Sequence, residues 1–161
     1  MISESGTSAL GLSAARLPKG AVLHNQTLWG AIGWATPAAF GADLAAPDRR
    51  TVLVTGEGSH QLTAQEVSQF HRCGLKPIIF VLNNNGYLIE RLLCKNPNNY
   101  YNDLAQWNCH VLPQALGCEG WYTARVTTCG ELDAAMVRTQ SCGAGAYIKV
   151  VTDKYVAPRW R

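Results

Sequence analysis

The sequence predicts a three-layer α/β/α domain built on a mostly parallel sheet of five or six strands. Three observations carry that expectation. Compact apolar runs at residues 51–55, 77–82 and 146–151 alternate with stretches of helical character. The run 77–82 shows no polar alternation, as a central parallel strand covered on both faces would not. Finally, residues 51–82 give strand, glycine turn, helix and strand in that order, which is a βαβ unit.

The totals are those of one ordinary domain over residues 1–161: 47% hydrophobic and 16% charged, so a real core can be buried. A formal charge of +3, scattered along the chain, gives no nucleic-acid footprint. Arg49-Arg50 and residues 159–161 are the densest basic spots and read as a solvated turn and a chain end. No run is long and apolar enough to span a membrane, and residues 1–6 show no leader pattern, so a cytoplasmic protein is expected. The six cysteines form no Cys-x-x-Cys pair and no zinc-like spacing, and read as inert, core-filling thiols.

Taken in order, residues 1–20 read mostly as loop and 21–24 as a short strand. Residues 29–40 are apolar on nearly all sides, which predicts a buried helix; Gly30 and Gly33 permit close approach of backbone or ligand. Because Pro37 would interrupt a helix interior, either the helix begins near Thr36 or a longer one bends there. Residues 51–55 form a strand. Thr63 and Glu66 fit a capping box that opens a helix with Val67 and Phe70 on its inner face. Gly74 suits its C-terminal cap, and Pro77 prevents continuation. Beyond the strand 77–82 the chain becomes loop-like after Glu90, through residue 101, and then come a short helix near 112–116 and a strand at 123–127. A helix at 131–140 presents Leu132, Ala135, Met136 and Thr139 on one side, and a last strand covers 146–151.

Ligands of open α/β sheets bind beyond the carboxyl ends of the strands, where Gly56-Glu57-Gly58-Ser59 and Asn83-Asn84-Asn85-Gly86-Tyr87 both fall. Glu57 and Asn84 offer hard oxygen ligands of the kind magnesium takes, shared with water and phosphate. Gly58 lets backbone N–H groups approach a phosphate, and a helix opening at Thr63 would direct its positive end the same way. The pattern suits a diphosphate neutralised by a divalent cation. A Rossmann nucleotide site competes, but the third glycine would fall at Gln61, and the following strand ends in asparagines instead of an acid. Either piece alone is an unremarkable turn or loop; a βαβ unit holding both is not.

These residues resemble the thiamine diphosphate motif, Gly-Asp-Gly followed at this spacing by Asn-Asn. The run continues through Gln61-Leu62-Thr63, Gly74-Leu75-Lys76-Pro77 and Gly86-Tyr87-x-Ile89-Glu90. It resembles the pyruvate and indolepyruvate decarboxylases in particular, as do Tyr101-Asn102-Asp103, Trp107, 112–116, Glu4-Ser5-Gly6-Thr7-Ser8 and Trp29-Gly30-x-Ile32-Gly33. The resemblance implies the thiamine diphosphate-binding fold, with thiamine diphosphate and magnesium as cofactors and a small 2-keto acid as substrate. Glu57, Asn84 and the Gly86 carbonyl would ligate magnesium, and Ser5, Thr7, Gly58 and Ser59 would hold the diphosphate. The Gly30 carbonyl would accept a bond from the pyrimidine amino group, Ile32 would wedge the cofactor into its bent form, and Tyr87 and Ile89 would line the site. Glu90 would be the acid/base residue that delivers a proton after carbon dioxide leaves, its carboxyl partly desolvated beside Tyr87 and Ile89.

The chain departs from the pattern at Glu57, one methylene longer than the usual Asp. Members of that family also carry a pyrimidine-binding and a middle domain, which hold the cofactor-activating glutamate and paired histidines. His24, His60, His71 and His110 match neither and read as structural or surface residues. The expected partners are therefore a pyrimidine-binding domain or subunit and further copies of this chain. Docking would use apolar surface around 28–40 and 87–94. The isolated chain would be inactive, and a stand-alone assembly or regulatory module is the other reading.

Overall fold

The computed structural model describes residues 1–158; the basic run at 159–161 lies outside the described residues. Five strands form one sheet: β1 (Ile2–Ser3), β2 (Val52–Gly56), β3 (Ile78–Asn83), β4 (Tyr122–Val126) and β5 (Ala146–Val151). Their order is β1-β2-β3-β5-β4 and every pair is parallel. The register sets Gly56 beside Leu82 and Asn83 beside Val151, so β2, β3 and β5 end together. A three-layer α/β domain is thus what the chain forms.

One face of the sheet is covered by α2 (Ala35–Ala45), α4 (Val67–Arg72) and the segment around Cys109 and Cys118. There Leu53, Ile79, Val81 and Tyr147 are fully buried against Ala35, Ala39, Val67 and Phe70. Each large aliphatic or aromatic group so buried contributes about 1.5–3 kcal/mol. The other face carries α7 (Cys129–Ser141), whose Leu132 and Ala135 pack on Val126, Ile148 and Phe80, while α1 (Thr7–Ser13) crosses β1 and β2. Ile78, Phe80 and Leu82 are only half-buried, so β3 is tightly packed on one face and looser on the other.

Several sequence expectations are corrected. The supposed loop at 1–20 contains β1 and α1, and residues 21–24 contribute a single bridge, His24 to Ile2, instead of a strand. Both are edge elements too short to show periodicity. Residues 29–34 are not helical, and Leu28 and Trp29 are among the most exposed hydrophobics. Helix α2 starts at Ala35, the first of the two alternatives, with Pro37 in the first turn where its missing N–H is not needed.

The predicted capping box at Thr63 does not form. The helix after β2 opens earlier, as α3 (Glu57–Thr63), and a 3-10 turn over Ala64–Glu66 joins it to α4. The Thr63 hydroxyl donates to the Gly33 carbonyl at 2.9 Å, a tertiary bond that takes the place of the local one. A capping box does exist at Thr128 and Glu131, so α7 begins before residue 131. On that helix Met136 is 45% exposed and does not belong to the inner face. Gly74 behaves as expected: with φ +67 it lets Leu75 N–H reach back to the Phe70 carbonyl at 2.9 Å. Only Cys109 and Cys118 are core-filling; Cys73 and Cys129 are exposed, and all six are free thiols.

Candidate functional site

The carboxyl ends of β2 and β3 open into a cleft of about 260 Å3. Its walls come from the turn into α1 (Ser5, Gly6, Thr7, Ser8), the loop before α2 (Gly30, Ile32), the start of α3 (Gly56 to Ser59) and the stretch from Leu82 to Glu90. All twelve residues singled out from the sequence line this one space: Ser5, Thr7, Gly30, Ile32, Glu57, Gly58, Ser59, Asn84, Gly86, Tyr87, Ile89 and Glu90.

Glu57, the first residue of α3, is buried at the floor. Its Oε1 accepts from Asn83 Nδ2 at 2.9 Å, from Asn84 N–H at 3.1 Å and from Gly86 N–H at 3.0 Å. Burial pushes its pKa above the ordinary carboxylate range, opposed by the hydrogen bond from the Asn83 amide and those from the backbone. The Glu57 carboxylate thus reaches into the turn after β3 and gathers its N–H groups. Beside it, Asn84 Oδ1 is buried without any hydrogen-bond partner. An orphaned acceptor next to a buried carboxylate is what a hard cation would satisfy. Among the described residues no three His, Cys, Asp or Glu side chains cluster at metal-binding distance, so such an ion would rely on one carboxylate plus amide and carbonyl oxygens.

The helix facing this floor is α3, not one opening at Thr63. At Gly58 a Cβ would lie 2.5 Å from Tyr87 Cε1 and 2.7 Å from Leu104 Cδ1, so glycine is what lets the Tyr87 ring close over the start of α3. Ser59 is buried next to it.

The opposite wall is organised by Glu4, a residue to which the sequence pattern assigns no role. Glu4 is fully buried. Its Oε1 accepts from Ser5 N–H at 3.0 Å, and its Oε2 from Gly33 N–H at 3.1 Å and Ala35 N–H at 3.2 Å. One carboxylate therefore joins the Ser5–Thr7 turn to the Gly30–Gly33 loop and caps α2. The signal lay in an acid between apolar residues and a small-residue turn, which has no distinctive spacing.

Glu90 lies at the rim on α5 (Leu88–Leu93) and is exposed, not partly buried as expected. Nor does it pair with Arg91, which turns inward to Asp103. Of the histidines, His60 is fully buried beneath the cleft with Nδ1 3.1 Å from Thr36 Oγ1, while His24 and His71 are exposed. The exposed large hydrophobics are Leu28, Trp29 and Ile32 in the first expected patch and Leu92 and Leu93 in the second. No helix among the described residues is long and apolar enough to cross a membrane.

Comparison with known proteins places this geometry in context. An α-keto-acid decarboxylase of Mycobacterium tuberculosis is 43% identical over 159 residues, which is 99% of this chain and 28% of that protein. One from Mycolicibacterium paratuberculosis is 46% identical over 136 residues, covering 84% of this chain and 24% of the relative. The chain thus spans about a quarter of the length of these curated relatives. The crystal structure of benzoylformate decarboxylase from Polynucleobacter necessarius superposes with a TM-score of 0.80 over 98% of this chain and 30% of its own, at 23% identity, and so shares the fold. Residues 5–150 match the family described as thiamine pyrophosphate enzyme, C-terminal TPP binding domain. With the cleft at the β2 and β3 ends falling inside that match, the chain belongs to the C-terminal TPP-binding domains of the thiamine pyrophosphate enzymes.

Proposed function

We propose that this chain is the diphosphate- and magnesium-binding part of a 2-keto acid decarboxylase of the pyruvate or indolepyruvate class. The observation that carries the reading is the orphaned Asn84 Oδ1 beside buried Glu57, at the floor of a cleft whose wall is Gly58 and Ser59. Glu57, Asn84 and the Gly86 carbonyl would hold magnesium. Ser5, Thr7, Gly58 and Ser59 would take the diphosphate, and Gly30, Ile32, Tyr87 and Ile89 would orient the rest of the cofactor. Bound thiamine diphosphate supplies the electron sink that lets a 2-keto acid lose carbon dioxide. Glu90, exposed at the cleft rim, is the group of this chain available to move a proton at that stage.

By the resemblance, the glutamate that activates the cofactor belongs to the pyrimidine-binding domain, and the wall glutamates Glu57 and Glu90 have other roles here. On this reading turnover would need a pyrimidine-binding domain, whether on the same polypeptide or on a separate subunit, and self-association of the chain is a further expectation. One observation favours the second reading, a non-catalytic module: Glu57 Oε1 already accepts three N–H groups, leaving Oε2 to meet a cation. Calorimetric titration with thiamine diphosphate and magnesium separates the two. Metal-dependent binding that disappears in Asn84→Ala supports the cofactor site; no heat at millimolar cofactor and metal overturns it. Carbon dioxide release from pyruvate or indolepyruvate by this chain alone would overturn the need for a second domain.

A further inference from the structure

The turn carrying Asn84 and Gly86 has an unusual backbone. Asn85 is the only non-glycine residue with positive φ (+60) among those described, and Gly86 follows at φ +153. Such a turn is not self-supporting. What holds it is Arg91, one turn into α5, whose side chain is 1% exposed. Its Nη2 donates to the Asn85 carbonyl at 3.0 Å and pairs with the Asp103 carboxylate. The guanidinium lies so close to Gly86 that a Cβ there would overlap it and the Asn102 carbonyl. That same Asn102 carbonyl accepts Tyr87 N–H at 2.9 Å, so the turn is gripped from two sides. Lys154 reaches Asp103 at 2.8 Å and completes the grip from the segment after β5.

Stability alone does not account for this side chain. Arg91 Nε and Nη1 are buried without partners, and a buried guanidinium with two unpaired donors is less favourable than a packed apolar side chain. We propose that Arg91 is a positioning residue that, through the Asn85 carbonyl and with Asp103 behind it, sets Asn84 Oδ1 and Gly86 for the cation. The metal half of this inference rests on the cofactor site proposed above.

The test uses Arg91→Met, Arg91→Lys and Asp103→Asn with two readouts. In amide hydrogen exchange without cofactor, Arg91→Met should speed exchange at Asn84, Gly86 and Tyr87 at least tenfold relative to the β3 amides. In magnesium titration at saturating thiamine diphosphate, it should weaken the metal about 10- to 100-fold, the range for supporting groups around metal ligands, with Arg91→Lys recovering part of the loss. Unchanged exchange at those three amides overturns the role of Arg91 whatever the protein binds. Unchanged magnesium affinity in a variant whose turn has loosened overturns the link to the cation. Absence of magnesium-dependent binding in the wild type overturns the cofactor reading, and with it the cation role, while leaving the exchange test decisive for the turn. If Arg91→Met does not fold, Asp103→Asn, whose carboxylate is half exposed, serves instead. It should loosen the same three amides about threefold, and no change would overturn the proposal.

Discussion

Carrying the protein from pH 7 to pH 5 should destabilise it through His60, by an amount the structure lets us work out. The ring is fully buried, held at Nδ1 by Thr36 Oγ1 and packed 5.7 Å from the Tyr147 ring, with Nε2 unpartnered. Desolvation lowers its pKa to about 4, against about 6.5 for an unperturbed imidazole. Because the folded value is the lower one, the unfolded chain binds the extra proton as pH falls below 6.5. Stability therefore declines until the folded ring titrates as well. Between pH 7 and pH 5 the loss is about 2 kcal/mol, and it approaches about 3.4 kcal/mol below pH 4. Glu4, Asp43 and Glu57 act in the opposite sense. Burial raises their pKa values, so their contribution is present below the ordinary carboxylate range and is lost as pH rises through the raised values. Comparing wild type with His60→Phe cancels those terms. In urea unfolding at both pH values, wild type should lose about 2 kcal/mol more than the variant. Parallel losses would refute the assignment of His60 as a buried neutral ring.

Three further substitutions test separate parts of the structure. Gly58→Ala drives a methyl into the Tyr87 ring edge; after the gain in helix propensity, the net cost should be about 1 kcal/mol in thermal unfolding, with cofactor binding hit harder. Glu4→Gln puts an amide where N–H groups now meet carboxylate oxygens, and should cost about 1–3 kcal/mol by urea unfolding, with faster exchange at the Gly33 and Ala35 amides. Thr128→Ala removes the acceptor for Glu131 N–H in an exposed capping box and should cost about 1 kcal/mol without touching the cleft.

The strands and the cleft were legible in the sequence for physical reasons that also explain what was not. Val52 to Gly56 and Ile78 to Asn83 are apolar runs bounded by turn residues, and a central parallel strand has few other ways to be written. Chemistry at their ends was legible because Glu57 and Asn84 are polar groups where the apolar pattern stops. Missed were the features that depend on distant partners. Thr63 looks like a helix cap until Gly33 claims its hydroxyl. Glu4 is an unremarkable acid until three backbone N–H groups from two loops converge on it. Arg91 is one basic residue beside Glu90 with nothing in the local sequence to mark it as buried, yet helix α5 turns it inward to Asp103 and the Asn85 carbonyl. The exposed stretch 28–32 misled for the opposite reason: its residues are apolar but find no cover within the described chain.

Whether thiamine diphosphate and magnesium meet this chain at the β2 and β3 ends is decided by amide-resolved NMR titration. Metal-dependent shifts should concentrate at Ser5 to Ser8, Glu57 to Ser59 and Asn83 to Glu90, be absent with thiamine alone and vanish in Asn84→Ala. Shifts centred elsewhere, for instance at the cleft lined by Arg49, Arg50 and Lys76, or no shifts at millimolar cofactor and metal, would contradict that site.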